Sequence, residues 1–290
     1  MSFASIIGNG QLLLFFALII TITSCWVTSR WVSYLGYILS CGLAYWYHFI
    51  EPFSFIYLLL ITFGLLTYQK APSFIKGILA ILLGVFIFCL CLHLLPGFHN
   101  FKIIDQIKLS FDSKPYSSYI NVDKVLVGSL LLLFYTTLNQ SLKEWKVTLR
   151  VLPIPLIYVC ALLLGTAFAM HYIRIDFKVP SILGWWIPTN LLLVCVVEEI
   201  FYRGFVQREL TKIFSSFKGG NWFALGGAAI VFGASHHTGG VPYVILSTLA
   251  GVGYGYVFMR SNRIESSILL HFLVNLIHIL AFSYPALMRG

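Results

Sequence analysis

Residues 191–205, with the sequence LLLVCVVEEIFYRGF, place two adjacent acids, Glu198 and Glu199, within an apolar run. The residues before this pair are apolar enough to lie in a bilayer, where a charged side chain costs at least a few kcal/mol. Two neighbouring carboxylates cost more, because they also repel each other. Such a pair is not kept for stability, so it predicts a functional site in or near a membrane.

The composition is that of a protein that crosses a membrane several times. Hydrophobic residues make up 59% of the chain, charged residues only 10%, and the mean hydropathy is +0.89. Soluble domains carry about 25% charged residues. The apolar runs are long rather than alternating, which favours helices over the strands of a barrel. We therefore predict an all-α, polytopic membrane helical bundle of about eight to ten spans.

The distribution of charge and cysteine excludes other classes of protein. The basic residues behind the net charge of +9 are scattered in short loops, a pattern typical of membrane topology and not of a nucleic-acid partner. The six cysteines include no C-x-x-C pair, which excludes a zinc ribbon and argues against a disulfide framework. The longest polar stretch, residues 96–124, predicts a surface loop or an interfacial amphipathic segment.

The two acids are expected to have different partners. Glu199 and Arg203 are four residues apart and would share a face of an α-helix, so they can form an ion pair. Glu198 is rotated by about 100° and stays available to a reactant. A carboxylate in a poorly solvated site gains proton affinity, which suits a general base. The alternative is a purely structural cluster of ion pairs at a helix end.

A second polar segment is Val-Phe-Gly-Ala-Ser-His-His-Thr-Gly-Gly, residues 231–240, which follows a helix rich in small residues. His236 ends that helix. Taken alone, the histidines and the Gly-Gly turn are equally consistent with an ordinary helix end at the membrane interface. The functional interpretation gains weight because a carboxylate pair occupies the preceding span.

A third segment, residues 271–275, has the sequence HFLVN in the last span. His271 and Asn275 are four residues apart, share one helix face and need hydrogen-bond partners in an apolar setting. They could be interhelical hydrogen-bonding groups, or a pair of donors aimed at a developing oxyanion. With an acid, a histidine and an arginine nearby in sequence, the chemistry that fits best is water activation followed by stabilisation of a tetrahedral intermediate, which is amide hydrolysis.

These three segments resemble the motifs of the CAAX-protease and bacteriocin-processing (CPBP, or Abi) family, which includes the type 2 CAAX prenyl endopeptidase. The resemblance covers roughly residues 183–282. It implies an all-helical membrane core with an intramembrane catalytic cavity. It also implies roles: Glu198 with His236 activates water, and His271 with Asn275 stabilises the oxyanion. Glu199, paired with Arg203, would order the site.

The resemblance leaves metal dependence to be decided, because the family has carried both metalloprotease and glutamic-protease labels. Glu198, His236 and His271 could in principle bind zinc, but no H-E-x-x-H motif is present. We favour a mechanism with no metal and no cofactor, because Arg203 and Asn275 are better explained as hydrogen-bond donors than as ligands.

The sequence thus predicts an integral, multi-pass endopeptidase of a prokaryotic cytoplasmic membrane. Its expected partners are the lipid bilayer and a membrane-associated peptide or protein substrate. Residues 1–180 would form an N-terminal membrane region of unassigned role, and residues 181–290 the CPBP/Abi-like catalytic domain. The competing hypotheses are a non-catalytic immunity or binding protein on the same scaffold, and a transporter whose membrane-embedded acids and histidines carry protons.

Overall fold

The structure is a computed structural model that describes residues 8–27 and 29–288. In chain order the helices and strands are α1 (Asn9–Val27), α2 (Arg30–Trp46), α3 (Ser54–Lys70), α4 (Ser73–Cys91), β1 (Phe101–Ile107), β2 (Tyr116–Ile120), α5 (Val122–Phe134), α6 (Leu142–Arg150), α7 (Pro153–Ala169), α8 (Leu183–Ile213), α9 (Gly220–Ala234), a 3₁₀ turn (His237–Gly239), α10 (Val241–Ser261) and α11 (Ile264–Ala281).

The multi-pass helical membrane architecture is confirmed. Among the described residues, five helices are long and apolar enough to span a bilayer, namely α1, α4, α8, α10 and α11. The pair α6 and α7, bent by 41°, adds a sixth if it forms one span. Fewer helices than the predicted eight to ten are long enough to span a bilayer, since a span needs about 20 residues. The apolar helices α3 and α9 have only 17 and 15.

The polar stretch 96–124 contains the one sheet found within the described residues. Strands β1 and β2 pair in a two-stranded sheet, where the sequence predicted a surface loop or an amphipathic segment. The sequence pattern that indicates a strand was weak here. Phe101, Ile103 and Ile104 are buried in β1, but polar residues interrupt the alternation that marks a half-buried strand.

The described chain divides into two compact units that are interleaved in sequence. Unit 1 comprises Met1–Ile103, Tyr119–Leu138 and Leu192–Phe201, and unit 2 comprises Ile104–Ser118, Asn139–Leu191 and Tyr202–Gly290. This division by packing is a different property from the functional division predicted between residues 180 and 181. The functional division stays a prediction.

Helix α5 is the central element of unit 1. It contacts each of α1 to α4, and eleven of its thirteen residues are buried. A helix that is apolar on every side is stable only when it is surrounded in this way. Helix α5 also packs against the segment Val196–Glu199 of α8, which carries the acid pair.

Gly128 permits this approach. A Cβ atom at Gly128 would lie 2.9 Å from Cγ1 of Val197 and 3.2 Å from Cγ2. Val197 is β-branched and buried, so it has little freedom to move aside. The absence of a side chain on α5 therefore fixes how closely the acid-bearing segment is held.

In unit 2 the central helix is α10, which contacts α7, α9 and α11. Small residues allow α9 and α10 to lie close together. A Cβ atom at Gly251 would lie 3.1 Å from Cα of Ala229, and one at Gly233 would overlap the hydroxyl of Thr248. Close backbone approach through small residues is the usual basis of helix packing in lipid.

The chain after α11 is attached to two loops of unit 2. Residues 282–288 form isolated bridges, Ile175 to Phe282 and Ser113 to Leu287. The Ser283 and Leu287 amides also donate to carbonyls of residues 174 and 172, both over 2.9 Å. We refer to residues 282–288 as the terminal strap.

A salt bridge supports the attachment of the terminal strap. The ammonium of Lys178 lies 3.1 Å from the carboxylate of Asp176 and also donates to the Phe282 carbonyl. The hydroxyl of Ser110, and then the nearby Lys178 ammonium, hold the pKa of Asp176 below its ordinary value against the opposing effect of burial. The ionised carboxylate is therefore the form that the folded protein favours.

Replacing Gly128 with alanine should destabilise the protein, whereas Gly42→Ala should not. Both glycines are inside helices, and alanine gains about 1 kcal/mol of helix propensity at such positions. Only Gly128 has a neighbour in the way, since nothing lies within 4 Å of a Cβ atom at Gly42. Overpacking costs about 1–3 kcal/mol. Melting temperatures in detergent should fall for Gly128→Ala only, and equal values would show that the contact with Val197 is not tight.

Asp176→Asn should lower the melting temperature at pH 7 by an amount that shrinks in acid. The folded-state pKa lies below the unfolded value of about 3.9. The contribution of the carboxylate is therefore complete above about pH 4 and is lost as the pH falls through the folded-state pKa. We expect on the order of 1 kcal/mol or less. A difference between wild type and variant that stays constant from pH 7 to pH 3 would contradict this assignment.

Candidate functional site

Helix α8 carries the acid pair and departs from α-helical geometry on both sides of it. Thr189–Cys195 and Ile200–Gln207 are π-helical, and only Val196–Glu199 between them is α-helical. Pro188, which has no N–H to donate, lies just before the first π segment. Such π-helical turns occur frequently at functional sites. Glu199 ends the α-helical segment, and Arg203 lies in the second π-helical segment.

The structure gives the two acids unequal surroundings. Both lie in unit 1, on the segment that α5 and Gly128 hold in place. Glu199 is completely buried, whereas Glu198 is partly exposed. The more accessible acid is thus the one that the sequence proposed as a base.

Arg203, in unit 2, is completely buried among aromatic rings. Its guanidinium carbon lies 4.4 Å from the ring centre of Phe232 and 5.4 Å from that of Tyr254. Its Nη2 atom donates to the Gly251 carbonyl over 3.1 Å. The planar guanidinium group can stack and donate at the same time, which lysine cannot do. The predicted ion pair of Arg203 with Glu199 joins residues of different units and stays a prediction.

One turn further along α8, Gln207 repeats this contact with α10. Its Nε2 atom donates to the Gly255 carbonyl over 3.0 Å, and a Cβ atom at Gly255 would lie 2.7 Å from Oε1 of Gln207. Arg203 and Gln207 are thus matched to Gly251 and Gly255 at the same spacing of four. Gln207 was missed at first, although this equal spacing is visible in the sequence.

His271 occupies the same aromatic cluster as Arg203. Its ring is stacked on Tyr254, with centres 4.5 Å apart and an interplanar angle of 18°. It also meets Phe232 edge-on, at 5.9 Å and 87°. His271 is only 5% exposed. Two rings, one from α9 and one from α10, therefore position both the predicted arginine and the predicted histidine of unit 2.

The ring of His236 has a defined hydrogen-bonding state. Its Nδ1 atom lies 2.8 Å from the carbonyl oxygen of Phe232. A carbonyl can only accept, so Nδ1 carries the hydrogen and Nε2 of the neutral ring keeps its lone pair. The ring also lies 4.7 Å from the Phe232 ring and 5.3 Å from that of Tyr243. The end of α9 thus presents a basic nitrogen in a fixed orientation.

Asn275 has a partner that sequence reasoning missed. Its Nδ2 atom donates to Oδ1 of Asn190 over 3.2 Å. Asn190 lies in the first π-helical segment of α8 and is 9% exposed. A second polar residue in the same apolar helix as the acid pair was the signal that could have identified it.

Within unit 2 the structure brings Arg203, His236 and His271 around Phe232. Asn275 joins Asn190, while Glu198 and Glu199 belong to unit 1. Across residues 8–27 and 29–288, no group of three or more His, Cys, Asp or Glu side chains is arranged to hold a metal ion. The metal-free mechanism stays a prediction.

Arg203→Lys should destabilise the protein far more than the same change at Arg208 of the same helix. Arg203 loses its stacking on two rings and its bond to Gly251, which together are worth on the order of 2 kcal/mol. Arg208 is partly exposed, and its guanidinium group lies 5.8 Å from the Phe258 ring. Melting temperatures of the two variants test this difference. Similar small losses in both would show that the buried guanidinium contributes nothing specific.

Comparison with known proteins relates part of the chain to a protein family. Residues 180–277 match the family model described as "Type II CAAX prenyl endopeptidase Rce1-like". No curated protein and no solved structure matches the chain. The match contains every residue singled out from the sequence, from Glu198 to Asn275. The resemblance to the CAAX-protease family is therefore confirmed over about a third of this integral membrane protein, at residues 180–277.

Proposed function

We propose that the protein is an intramembrane endopeptidase that hydrolyses a peptide bond with a water molecule activated by Glu198. The observation that carries the proposal is the contact of His236 Nδ1 with the Phe232 carbonyl, within residues matched to a type II CAAX endopeptidase. A histidine whose Nδ1 hydrogen is already bound to a carbonyl offers Nε2 as an acceptor for a water hydrogen.

In the proposed reaction, Glu198 removes a proton from a water molecule that His236 helps to orient. The water oxygen forms a bond to the carbonyl carbon of the substrate, and the carbonyl electrons move to its oxygen. His271 and Asn275 donate hydrogen bonds to that oxyanion. The C–N bond then breaks, and the proton held by Glu198 passes to the leaving amine. The products are a carboxylic acid and an amine, and Glu198 is a carboxylate again.

Arg203 supports this chemistry by positioning other groups. Its guanidinium group lies against Phe232 and Tyr254, and the same two rings contact His271. Phe232 also supplies the carbonyl that orients His236. Together with Glu199, Arg203 is proposed to hold the site in one arrangement, because buried cation–π contacts and hydrogen bonds restrict rotation of the rings.

The proposed substrate is a peptide or protein attached to the bilayer. The matched family is named for cleavage of prenylated CAAX sequences, so a farnesylated peptide with a C-terminal CaaX sequence is the first probe. Peptides anchored by an apolar helix are the second. The proposed location is the cytoplasmic membrane of a prokaryote.

Cleavage of these peptides by the purified full-length protein in nanodiscs tests the proposal. Wild type should cleave at least one peptide, and Glu198→Gln and His236→Ala should lower kcat by about 10²–10⁴-fold, as expected for loss of acid–base catalysis. Glu209→Gln is the matched control, since this acid of the same helix pairs with Lys212 at 2.5 Å. Its rate should stay within about threefold of wild type.

Other results would overturn parts of the proposal. Equal rates for wild type and Glu198→Gln would remove the glutamate mechanism. If activity is lost on chelation and restored by Zn²⁺, the metal-free mechanism would be wrong and a zinc-dependent mechanism would take its place. Binding of peptides without cleavage, by a protein with normal melting temperature, would favour the non-catalytic binding protein on this scaffold.

A further inference from the structure

A cavity of about 510 Å³ lies in unit 2, where α8 and α10 end and α9 begins. We propose that this cavity binds the phosphate headgroup of an anionic phospholipid from the membrane that surrounds the protein. The cavity is lined by residues of the segments 214–222 and 256–260. None of the proposed catalytic residues belongs to these segments, so the inference assigns a separate binding site.

The cavity lies at the depth where lipid headgroups are found. Helices α8 and α10 are long and apolar enough to span a bilayer, and Phe214 and Arg260 line the cavity at the C-terminal ends of these helices. Trp222 and Tyr256 also line it, with rings stacked 6.0 Å apart at an angle of 25°. Trp and Tyr are enriched at the interface between water and hydrocarbon. A headgroup therefore lies at the same level as this cavity.

The charge of the cavity is complementary to an anion. Arg260 lines it and is exposed, and Lys218 lies in the segment that forms its wall. Among the residues that the structure describes, neither side chain has an ion pair or a hydrogen bond. No acidic residue lines the cavity, and Glu209, in the last turns of α8, pairs with Lys212. Two cations without a protein partner therefore flank the cavity and attract a negative group.

The lining also matches the two chemical halves of a phospholipid. A guanidinium group can donate two parallel hydrogen bonds to a phosphate, and Asn221, Trp222 and Tyr256 each add a side-chain donor to the lining. Phe217 supplies apolar surface and is 62% exposed. The volume lies within the range of about 300–1,000 Å³ that is usual for sites of small molecules. A phosphate that carries acyl chains satisfies both kinds of surface.

The distribution of basic residues indicates that the phosphate comes from a lipid of the cytoplasmic leaflet. Lys218, Arg260 and Arg263 lie in or beside the two connections that follow α8 and α10. Short loops rich in Lys and Arg face the cytoplasm in most membrane proteins. The cytoplasmic leaflet carries anionic lipids and a negative surface potential, which attract basic residues close to the membrane. The same end of unit 2 thus combines a cavity, cations and the side of the membrane where anionic lipids are concentrated.

Titration of the purified full-length protein with single lipids in neutral detergent, read by native mass spectrometry, tests the inference. Wild type should bind phosphatidylglycerol about tenfold more tightly than phosphatidylcholine. Arg260→Gln should weaken phosphatidylglycerol binding by about tenfold, as for loss of one charge-assisted hydrogen bond. Arg260→Lys should keep most of the affinity, because an ammonium group still binds phosphate. Arg150→Gln is the matched control, since Arg150 is an exposed arginine at the end of α6 and should change affinity by less than about twofold.

A second variant tests the cavity itself rather than its charge. Trp222→Leu removes the ring stacked on Tyr256 and should lower the affinity for phosphatidylglycerol by about threefold. Trp222 is 59% exposed, so the melting temperature in phosphatidylcholine should change little. An unchanged affinity in this variant would show that charge alone attracts the lipid and would overturn the assignment of the cavity.

Three further results would overturn the inference: equal affinities of wild type and Arg260→Gln, an equal loss in Arg150→Gln, or equal affinity of wild type for the two lipids. Displacement of phosphatidylglycerol by an equal concentration of glycerol phosphate would identify a soluble phosphate as the ligand and would overturn the assignment to lipid. All of these measurements report lipid binding and not peptide cleavage. Failure of the inference would therefore leave the proposed endopeptidase function as it stands.

Discussion

The arrangement of unit 2 depends on the burial of one guanidinium group. Arg203 is completely inaccessible to solvent, yet its charge lies against two aromatic faces and a backbone carbonyl. Removing a charge from water is costly, and the cost is recovered only where every contact has good geometry. Movement of Phe232 or Tyr254 would remove part of the surroundings of that charge. The same rings therefore hold His271 and, through the Phe232 carbonyl, His236.

Two glycines of α10 lie where α8 and α9 approach this helix. Arg203 and Gln207 donate from α8 to the carbonyls of Gly251 and Gly255, and a side chain at Gly255 would meet Gln207. At Gly251 the missing side chain also allows α9 to approach through Ala229. A G-x-x-x-G sequence is commonly interpreted as a helix–helix contact alone. In this protein the same glycines also serve as hydrogen-bonding sites for polar side chains of a third helix.

The apolar helices could be predicted from the sequence, and the polar residues within them could be singled out as candidates for the site. Placing a charged or polar side chain in lipid costs free energy, so such residues within apolar runs are candidates for a site. Glu198, His271 and Asn275 were selected in this way. Asn190 gave only the weaker signal of a single polar residue in an apolar helix, and its partner lies 85 residues away. The π-helical turns of α8 could not be predicted either, since they depend on tertiary packing and not on the local sequence.

The short apolar helices α3 and α9 are one reason why the described residues contain fewer helices of spanning length than the expected eight to ten. Apolar composition continues through the short helices α3 and α9, but their ends are set by residues that begin turns, such as Gly219 with its φ of +82°. Hydropathy measures only whether a residue tolerates lipid. It carries little information about where the backbone leaves the helix. The hairpin of β1 and β2 was missed because a mixed polar stretch resembles a loop.

The terminal strap has a mechanical consequence for catalysis. Because residues 282–288 are bonded to the loops at residues 110–114 and 172–178, helix α11 is anchored at its C-terminal end. Sliding or tilting of α11 would break several backbone hydrogen bonds at once. Asn275, less than two turns before that anchor, therefore belongs to a stationary part of unit 2. In the proposed reaction, a peptide would therefore meet Asn275 on a helix whose C-terminal end is held by these hydrogen bonds.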